Sequence, residues 1–551
     1  MMAKRWSLIV LLALAYKVKA QSNQFELSIV HINDFHARYE EINEAGVTCN
    51  TQEGDVCLGG YARTVTVVKQ LLATRRNAIY LNAGDNFRGT LWYNIHRWNA
   101  TVEFLNMLPA DAMTLGSNEF AHGVEGVVPF LNHINSPVLL ANVDNRDEPT
   151  FRNYQKSLVI ERGGRKIGLI GVMHKPSNSN VGNLIFAVVV ETVREEAELL
   201  KQQGVDIVFV ISHCGIDVDK IIAENSGPEV DVIVGGRSHT FLYSGEHPEI
   251  PDVALGEYPT VVTQQSGHKV LIVQAGSYTK FVGDIVLVFD DAGIIQRWEG
   301  NPVYLGSTVE PDPTIVQALI PWKLSLEEVS NRHLGYADLD LSTSDCRSGE
   351  CNLGSLVADS MVSAFIPLAQ PGHWTYGAIA LMPVGDIRGS ISKGEIIYAN
   401  VFDVLPFENI LECIELRGDY LLQVLEQSVS VSYDEEKFSA VNMLQVSGLK
   451  VKYDISKPIG ERVVSLLVLC HDCMIPSYQP LNPFKYYRVI TNGYTVTGGT
   501  GFQQFSEHGR NKLAGPLDNV AFEDYIRQRS PITQGSGGRI EIFTKKFGVW
   551  T

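Results

Sequence analysis

The stretch Phe25-Glu26-Leu27-Ser28-Ile29-Val30-His31-Ile32-Asn33-Asp34-Phe35-His36 decides the fold. Its first eight residues read as a strand. The chain then presents Asp34 and His36, two metal-competent side chains that strand alternation would point to one side. The same arrangement recurs through the first half. Strand-like runs at 78–81, 166–172, 206–211 and 230–234 alternate with helical periodicity near 63–72 and 190–202. This is a βα alternation, and it predicts a layered α/β domain. Ligands in such sheets bind where strands give way to loops. Asp34/His36, Asp85, Ser117/Asn118, His213 and Arg237/His239 all follow such strands.

An Asp and a His two residues apart can hold one divalent cation. Asp85, within Gly84-Asp85-Asn86, is a candidate bridging carboxylate, and His213 and His239 are candidates to complete the shells. Two cations about 3.5–4 Å apart clamp a phosphate and generate a nucleophilic hydroxide. Taken singly, each residue has another explanation. An Asp after a strand caps helices, and an isolated His makes ordinary hydrogen bonds. The convergence of four or five strand ends on polar residues points to a metal site or the remains of one.

With 551 residues, 45% of them hydrophobic and 19% charged, the chain is long enough for two or three globular domains. Residues 1–20 read as a secretory signal: Lys4 and Arg5 precede a short apolar stretch, and Val18-Lys19-Ala20 fits a cleavage site. Loss of the cations Lys4, Arg5, Lys17 and Lys19 takes the formal charge from −17 to −21. That acidity argues against a nucleic-acid partner. Residues 543–551 lack the apolar tail of a lipid-anchor signal, so the expectation is a soluble, secreted, extracellular protein with no membrane anchor. Six of the eight cysteines fall in close pairs, Cys49/Cys57, Cys346/Cys351 and Cys470/Cys473, as expected of local disulfides in a secreted chain. Cys214 and Cys413 either pair or stay as buried thiols. Asn99-Ala100-Thr101 is a glycosylation sequon.

The segments His31-Ile32-Asn33-Asp34-Phe35-His36-Ala37-Arg38, Asn82-Ala83-Gly84-Asp85-Asn86-Phe87-Arg88-Gly89, Ile211-Ser212-His213-Cys214 and Gly235-Gly236-Arg237-Ser238-His239 resemble the 5′-nucleotidase family. Within it, the secreted salivary apyrases of blood-feeding arthropods are the most similar. The resemblance runs from about residue 25 to about residue 540. It implies an N-terminal metallophosphoesterase domain over 21–308, a linker helix over 309–335 and a C-terminal α/β nucleoside-binding domain over 336–551. It also implies one cation on Asp34, His36, Asp85 and His239, and a second sharing Asp85 and His213. At the second cation's two remaining ligand positions this chain has Ser117 and Arg237. Serine is a weak neutral ligand, and arginine stays protonated and cannot ligate. The resemblance therefore implies at most one retained ion, with zinc, calcium and magnesium all open. The family's catalytic His–Asp pair is replaced by Asn118 and Ala121. In the nucleoside domain, Phe407 and Tyr494 match the base-stacking aromatics, and Arg347 and Arg388 match the phosphate arginines. Thr500 stands where an acid holds the ribose. ADP, ATP and AMP are the implied ligands.

Arg417-Gly418-Asp419 spells the tripeptide that integrins recognise. Its context, strand-like before and helical after, reads instead as a turn at Gly418 and a helix N-cap at Asp419. Together these features suggest a secreted platelet-aggregation inhibitor with a degenerate centre, acting mainly by binding ADP or the platelet fibrinogen receptor. The alternative is an active metal-dependent apyrase on ATP, ADP or AMP.

Overall fold

The computed structural model of the protein describes residues 24–543, apart from 45, 50, 52–54, 177–180, 248–249 and 433–437. The expected leader, 1–20, and the chain after 543 lie outside the described residues.

Strand Phe25–Ile32 lies at the middle of the first sheet, parallel to Ile79–Asn82 and antiparallel to Phe281–Phe289. Ala112–Met113 and Ile295–Glu299 form its edges, and Val303–Tyr304 adds to Phe281–Phe289. A second sheet runs in the order Thr260–Thr263, Lys269–Val273, Val232–Gly235, Ile207–His213, Arg165–Met173, Ser157–Arg162. The two sheets face each other. Leu27, Ile29 and Leu81 of the first meet Ile167, Phe209 and Val234 of the second in one buried cluster. Helix Tyr61–Thr74 covers the outer face of the first sheet, setting Val67, Val68 and Leu71 against Val30 and Tyr80. Helices Val189–Gln202 and Ile216–Asn225 cover the second, with Val193, Leu200 and Ile222 against Ile170, Val208 and Val210. Burial on both faces is why Ile207–His213 is almost wholly apolar. The layers stack helix, sheet, sheet, helix, as the α/β reading requires.

Helix Pro313–Ser330 follows. The Asp312 side chain caps it by accepting from the backbone N–H of Thr314 at 2.9 Å and of Ile315 at 3.2 Å, with Pro313 in the first turn. The helix is shorter than the 309–335 span expected of the linker, and strand His333–Ala337 begins within that span.

Beyond it, a five-stranded mixed sheet runs Leu444–Ser447, Ile379–Pro383, Tyr486–Asn492, Ile410–Arg417, Arg510–Leu517. Helices Asn352–Ala364 and Asp518–Arg529 bury Leu356, Met361 and Phe522 on one face. Helix Gly418–Ser428 buries Leu421 and Val424 on the other. Cys49–Cys57, Cys346–Cys351 and Cys470–Cys473 are disulfides. Cys214 and Cys413 are buried free thiols, and burial pushes each up to about 12. Among the described residues no helix is long and apolar enough to cross a membrane.

The tripeptide is built into this region. Arg417 ends its strand and Gly418 begins the helix, so Arg417, not Asp419, is the N-cap residue. The strand's last residue doubles as the cap, which leaves Asp419 in the first helical turn. A Cβ on Gly418 would lie 2.2 Å from the carbonyl oxygen of Asn482, so only glycine fits there. Arg417 Nε donates to Asp419 Oδ1 at 2.7 Å. The two charges engage each other on the surface. Asn99 is exposed in helix Trp98–Met107, where its amide donates to the carbonyl of His96 at 3.3 Å.

Candidate metal centre

Strand Phe25–Ile32 stops before Asp34. Asp34 and His36 do not alternate on a strand end. They occupy a loop of left-handed residues, with φ of 51° at Asp34 and 50° at His36. Long-range bonds fix this loop: Asp34 N–H donates to Gly84 O and His36 N–H to Asp85 O, each at 3.0 Å. Asp85 and His239 are also left-handed, with φ of 55° and 52°. His213 is the last residue of its strand, not a loop residue beyond it.

The side chains converge. Asp34 Oδ1 lies 3.2 Å from His239 Nε2 and 3.8 Å from His36 Nε2. Asp85 Oδ2 lies 3.1 Å from His213 Nε2 and 3.9 Å from His36 Nε2. The potential ligand atoms of Asp34, His36 and His239, and those of Asp34, Asp85 and His213, each fall within 4.8 Å of one another. Asp34 therefore belongs to both groups, while Asp85 faces histidines of both. Gly116 makes the approach possible, since a Cβ there would sit 2.0 Å from Asp85 Oδ1 and 2.6 Å from His213 Nε2.

The donor set fits a divalent cation. His213 Nδ1 lies 2.6 Å from the carbonyl oxygen of Ala83, which selects the tautomer carrying its proton there. Its Nε2 is buried, without a hydrogen bond, and faces the Asp85 carboxylate. A nitrogen lone pair against a carboxylate is repulsive unless a proton or a cation lies between them. His36 Nε2 and His239 Nε2 face each other at 3.1 Å with the same requirement. Two ligands on one tetrahedral zinc, at about 2.0–2.1 Å from the metal, stand roughly 3.3 Å apart. Protons can fill the same role. Burial opposes charge on His213, but Asp85 outweighs it and pushes the imidazolium up to about 9. Burial likewise opposes charge on His239, and Tyr278 and Asp34 push it up to about 9. Burial also works against ionisation of Asp34, yet His239 and His36 hold its carboxyl well below the usual range.

A phosphoesterase-like matched pair of layers, with acids and histidines at the strand ends, is thus in place. Residues 27–241 match the calcineurin-like phosphoesterase family, and residues 330–507 match the 5′-nucleotidase C-terminal domain. An apyrase of Tabanus yao is 43% identical over 94% of this chain and 94% of its own length. The chain belongs to the 5′-nucleotidase family. A 5′-nucleotidase-related protein of Glossina morsitans morsitans is 39% identical over 94% of this chain and 95% of its own length. The solved structure of a 5′-nucleotidase precursor from Thermus thermophilus has 33% identity and a TM-score of 0.75, covering 94% of this chain and 99% of that one.

The remaining candidate residues divide into those that reach this 5′-nucleotidase centre and those that do not. Asn118 reaches it: its backbone N–H donates to Asp85 Oδ1 and its amide to Asp85 Oδ2, each at 2.8 Å. Ser117 and Ala121 flank the same short turn, Asn118–Phe120. Arg237 donates its backbone N–H to both oxygens of Asp34, at 3.1 and 2.9 Å. Its guanidinium makes no hydrogen bond or ion pair among the described residues, and its charge acts on His174, Cys214 and Tyr494. His122 stacks on Tyr93, and burial followed by the charges of Arg97 and Arg88 lowers it to about 4.

Arg388 reaches the centre indirectly. Its Nη2 donates to the Tyr278 hydroxyl at 2.8 Å, and its guanidinium lies 5.8 Å from the Phe407 ring. Tyr494 is exposed. Arg347 donates instead to the carbonyl of Val441 at 2.9 Å. Thr500 donates to the Thr495 hydroxyl at 3.3 Å. Sequence reasoning missed Tyr278, whose ring touches His36 and His239. It also assigned no role to Glu119, whose carboxylate gathers the backbone N–H groups of Asp85, Asn86 and Gly116. Burial and the Asp85 charge push Glu119 up to about 7. For Tyr278 the available signal was its place just past strand Lys269–Val273, in the same register of strand ends as the other site residues.

Proposed function

We propose that this chain is a secreted inhibitor of platelet aggregation that works mainly by binding, on ADP or on the platelet fibrinogen receptor, with hydrolysis slowed by its altered centre. The observation that carries the reading is the Arg237 guanidinium, a permanent cation with no hydrogen bond or ion pair among the described residues, on a loop whose backbone is bonded to Asp34. A permanent cation there disfavours a second metal ion and favours an anion. In this reading Asp34, His36, Asp85 and His239 hold at most one divalent ion. When bound, that ion supplies Lewis acidity toward a phosphate oxygen.

The chain's own residues do the rest. Arg237 and Arg388 neutralise phosphate charge. Phe407 and Tyr494 flank the base. Asn118 keeps its amide on Asp85 and carries no proton to or from the leaving group, since an amide does not titrate. Loss of one such stabilising group costs about 10²–10³ in rate. Residues 21–308 supply the metal side and 336–551 the nucleoside side, and Asn99 carries the glycan. The tripeptide Arg417-Gly418-Asp419 is locked into a helix start, so receptor binding in this reading uses another surface.

Phosphate release from ADP by the purified protein, with calcium, magnesium or zinc and a chelator control, tests the reading. Slow release, with at most one tightly bound ion per chain, is expected. Fast chelator-sensitive release, or two tightly bound ions, overturns it in favour of a working apyrase. That second reading is supported by the two groups of converging side chains, Asp34, His36 and His239, and Asp34, Asp85 and His213. Inhibition of platelets stimulated by an agonist other than ADP separates receptor binding from ADP capture.

A further inference from the structure

We infer that Tyr278 is a positioning residue that ties the metal-facing histidines to the phosphate-facing Arg388; this rests on the nucleotide-binding reading above. Tyr278 and Arg388 lie on opposite sides of helix Pro313–Ser330 in the chain. Their hydrogen bond, from Arg388 Nη2 to the tyrosine hydroxyl at 2.8 Å, joins the two halves of the candidate site.

The placement of Tyr278 is built, not incidental. Tyr278 and Thr279 both have φ of 60°, a conformation that bulky and β-branched residues adopt only at a cost. Two bonds hold the turn. Tyr278 N–H donates to the backbone carbonyl of Asp34 at 2.9 Å, and the Thr279 hydroxyl accepts from Gly60 N–H at 2.7 Å. The tyrosine ring then packs against two site histidines, with centroids 5.4 Å from His36 and 5.1 Å from His239. The Arg38 guanidinium lies 4.8 Å from the ring centroid.

Ring and hydroxyl have separable roles. Packing against the histidines needs only an aromatic ring, whereas the hydroxyl accepts from Arg388 and also favours the charge on His239. The other terminal nitrogen of Arg388 donates to Gly385 O at 3.1 Å. With both terminal nitrogens held, the guanidinium plane is fixed before a ligand arrives, and its remaining N–H groups are left for an anion. A nucleoside diphosphate whose phosphates lie between the histidines and Arg388 therefore meets a pre-oriented cation, which lowers the ordering cost of binding.

The test uses the full chain, with zinc alone and ADP as probes in calorimetry. Tyr278→Phe keeps the ring and removes the hydroxyl. We expect its zinc affinity to stay within about twofold of the parent and its ADP affinity to fall by about tenfold, the loss typical of one charge-assisted hydrogen bond. In an Arg388→Ala background the same change should cost nothing further. The inference is overturned if Tyr278→Phe binds ADP like the parent, if it loses zinc affinity as much as ADP affinity, or if its loss persists undiminished without Arg388. Should the parent bind no ADP, the nucleotide reading fails by itself. The link is then read by thermal unfolding: non-additive shifts for Tyr278→Phe and Arg388→Ala support it, and additive shifts overturn it.

Discussion

The two sides of the centre share a backbone design and differ in what their side chains offer. On one side, Asp34, His36 and His239 turn two nitrogens and a carboxylate oxygen toward one another, and both oxygens of Asp34 accept from the backbone N–H of Arg237. On the other, Asp85 and His213 are more deeply buried than His239, and Asn118 places a backbone and a side-chain hydrogen bond on the Asp85 carboxylate. The charge of Arg237 reaches His174 and Cys214, which flank His213. Loop shape is held by other groups, chiefly Glu119 on three backbone N–H groups and the bare Gly116. Shape and chemistry are therefore separable here: side chains can change on one side while the cradle stays.

The sharpest way to break this comparison is at the carboxylate both groups share. Asp34→Ala should lower divalent-metal affinity by about 10²-fold or more in equilibrium dialysis with zinc. His239→Ala should do so nearly as strongly, because it removes one of the three side chains that converge there. An equal loss from Ser117→Ala would mean that an ion is also held beside Asp85 and His213. Next in size is restoration. The combined change Ser117→Asn, Asn118→His, Ala121→Asp and Arg237→His should raise phosphate release from ADP by about 10²–10³-fold. A parent already so fast that restoration adds little would erase the difference between the sides.

Controls away from the centre are smaller. Gly418→Ala forces a methyl group against the Asn482 carbonyl and should cost about 1–3 kcal/mol in denaturant unfolding. Asp419→Ala, by contrast, should leave platelet inhibition unchanged in aggregometry, because its carboxylate serves Arg417. A pH-dependent effect is expected at Asp231, a buried carboxylate just before strand Val232–Gly235 that accepts from Val208 N–H at 2.9 Å and has no part in either metal group. Burial pushes it up to about 7. The folded chain therefore holds this proton more tightly than the unfolded one. The stabilisation is complete at pH below the unfolded value and is lost as pH rises through about 7. Asp231→Asn keeps the acceptor and removes the titration, so the decline in melting temperature between pH 5 and pH 8 should become shallower.

What could be read from the sequence follows from the range of the forces involved. The paired sheets were legible because strands buried on both faces, such as Ile207–His213, leave uninterrupted apolar runs. The convergence of Asp34, Asp85, His213 and His239 was legible because strand ends in such sheets gather. The conformation of Asp34 and His36 was not, because it depends on bonds to Gly84 and Asp85, which no local window contains. Asp419 was misread as a cap for a related reason. The register of Arg417 opposite Tyr486, and the close approach of Asn482 to Gly418, decide where the helix begins. Tyr278 went unnoticed because its meaning lies wholly in partners far along the chain.

The left-handed backbone at Asp34, His36, Asp85 and His239 has an evolutionary consequence. Arg237, at a φ of 77°, occupies the same kind of conformation. Such a turn is hard to invent, since several residues must accept an unfavourable geometry before any of them is useful. Once inherited, it persists through packing and backbone bonds regardless of which side chains it carries. A lineage can then drift between turnover and capture of the same ligand by exchanging side chains, in either direction and by few steps, without passing through an unfolded ancestor.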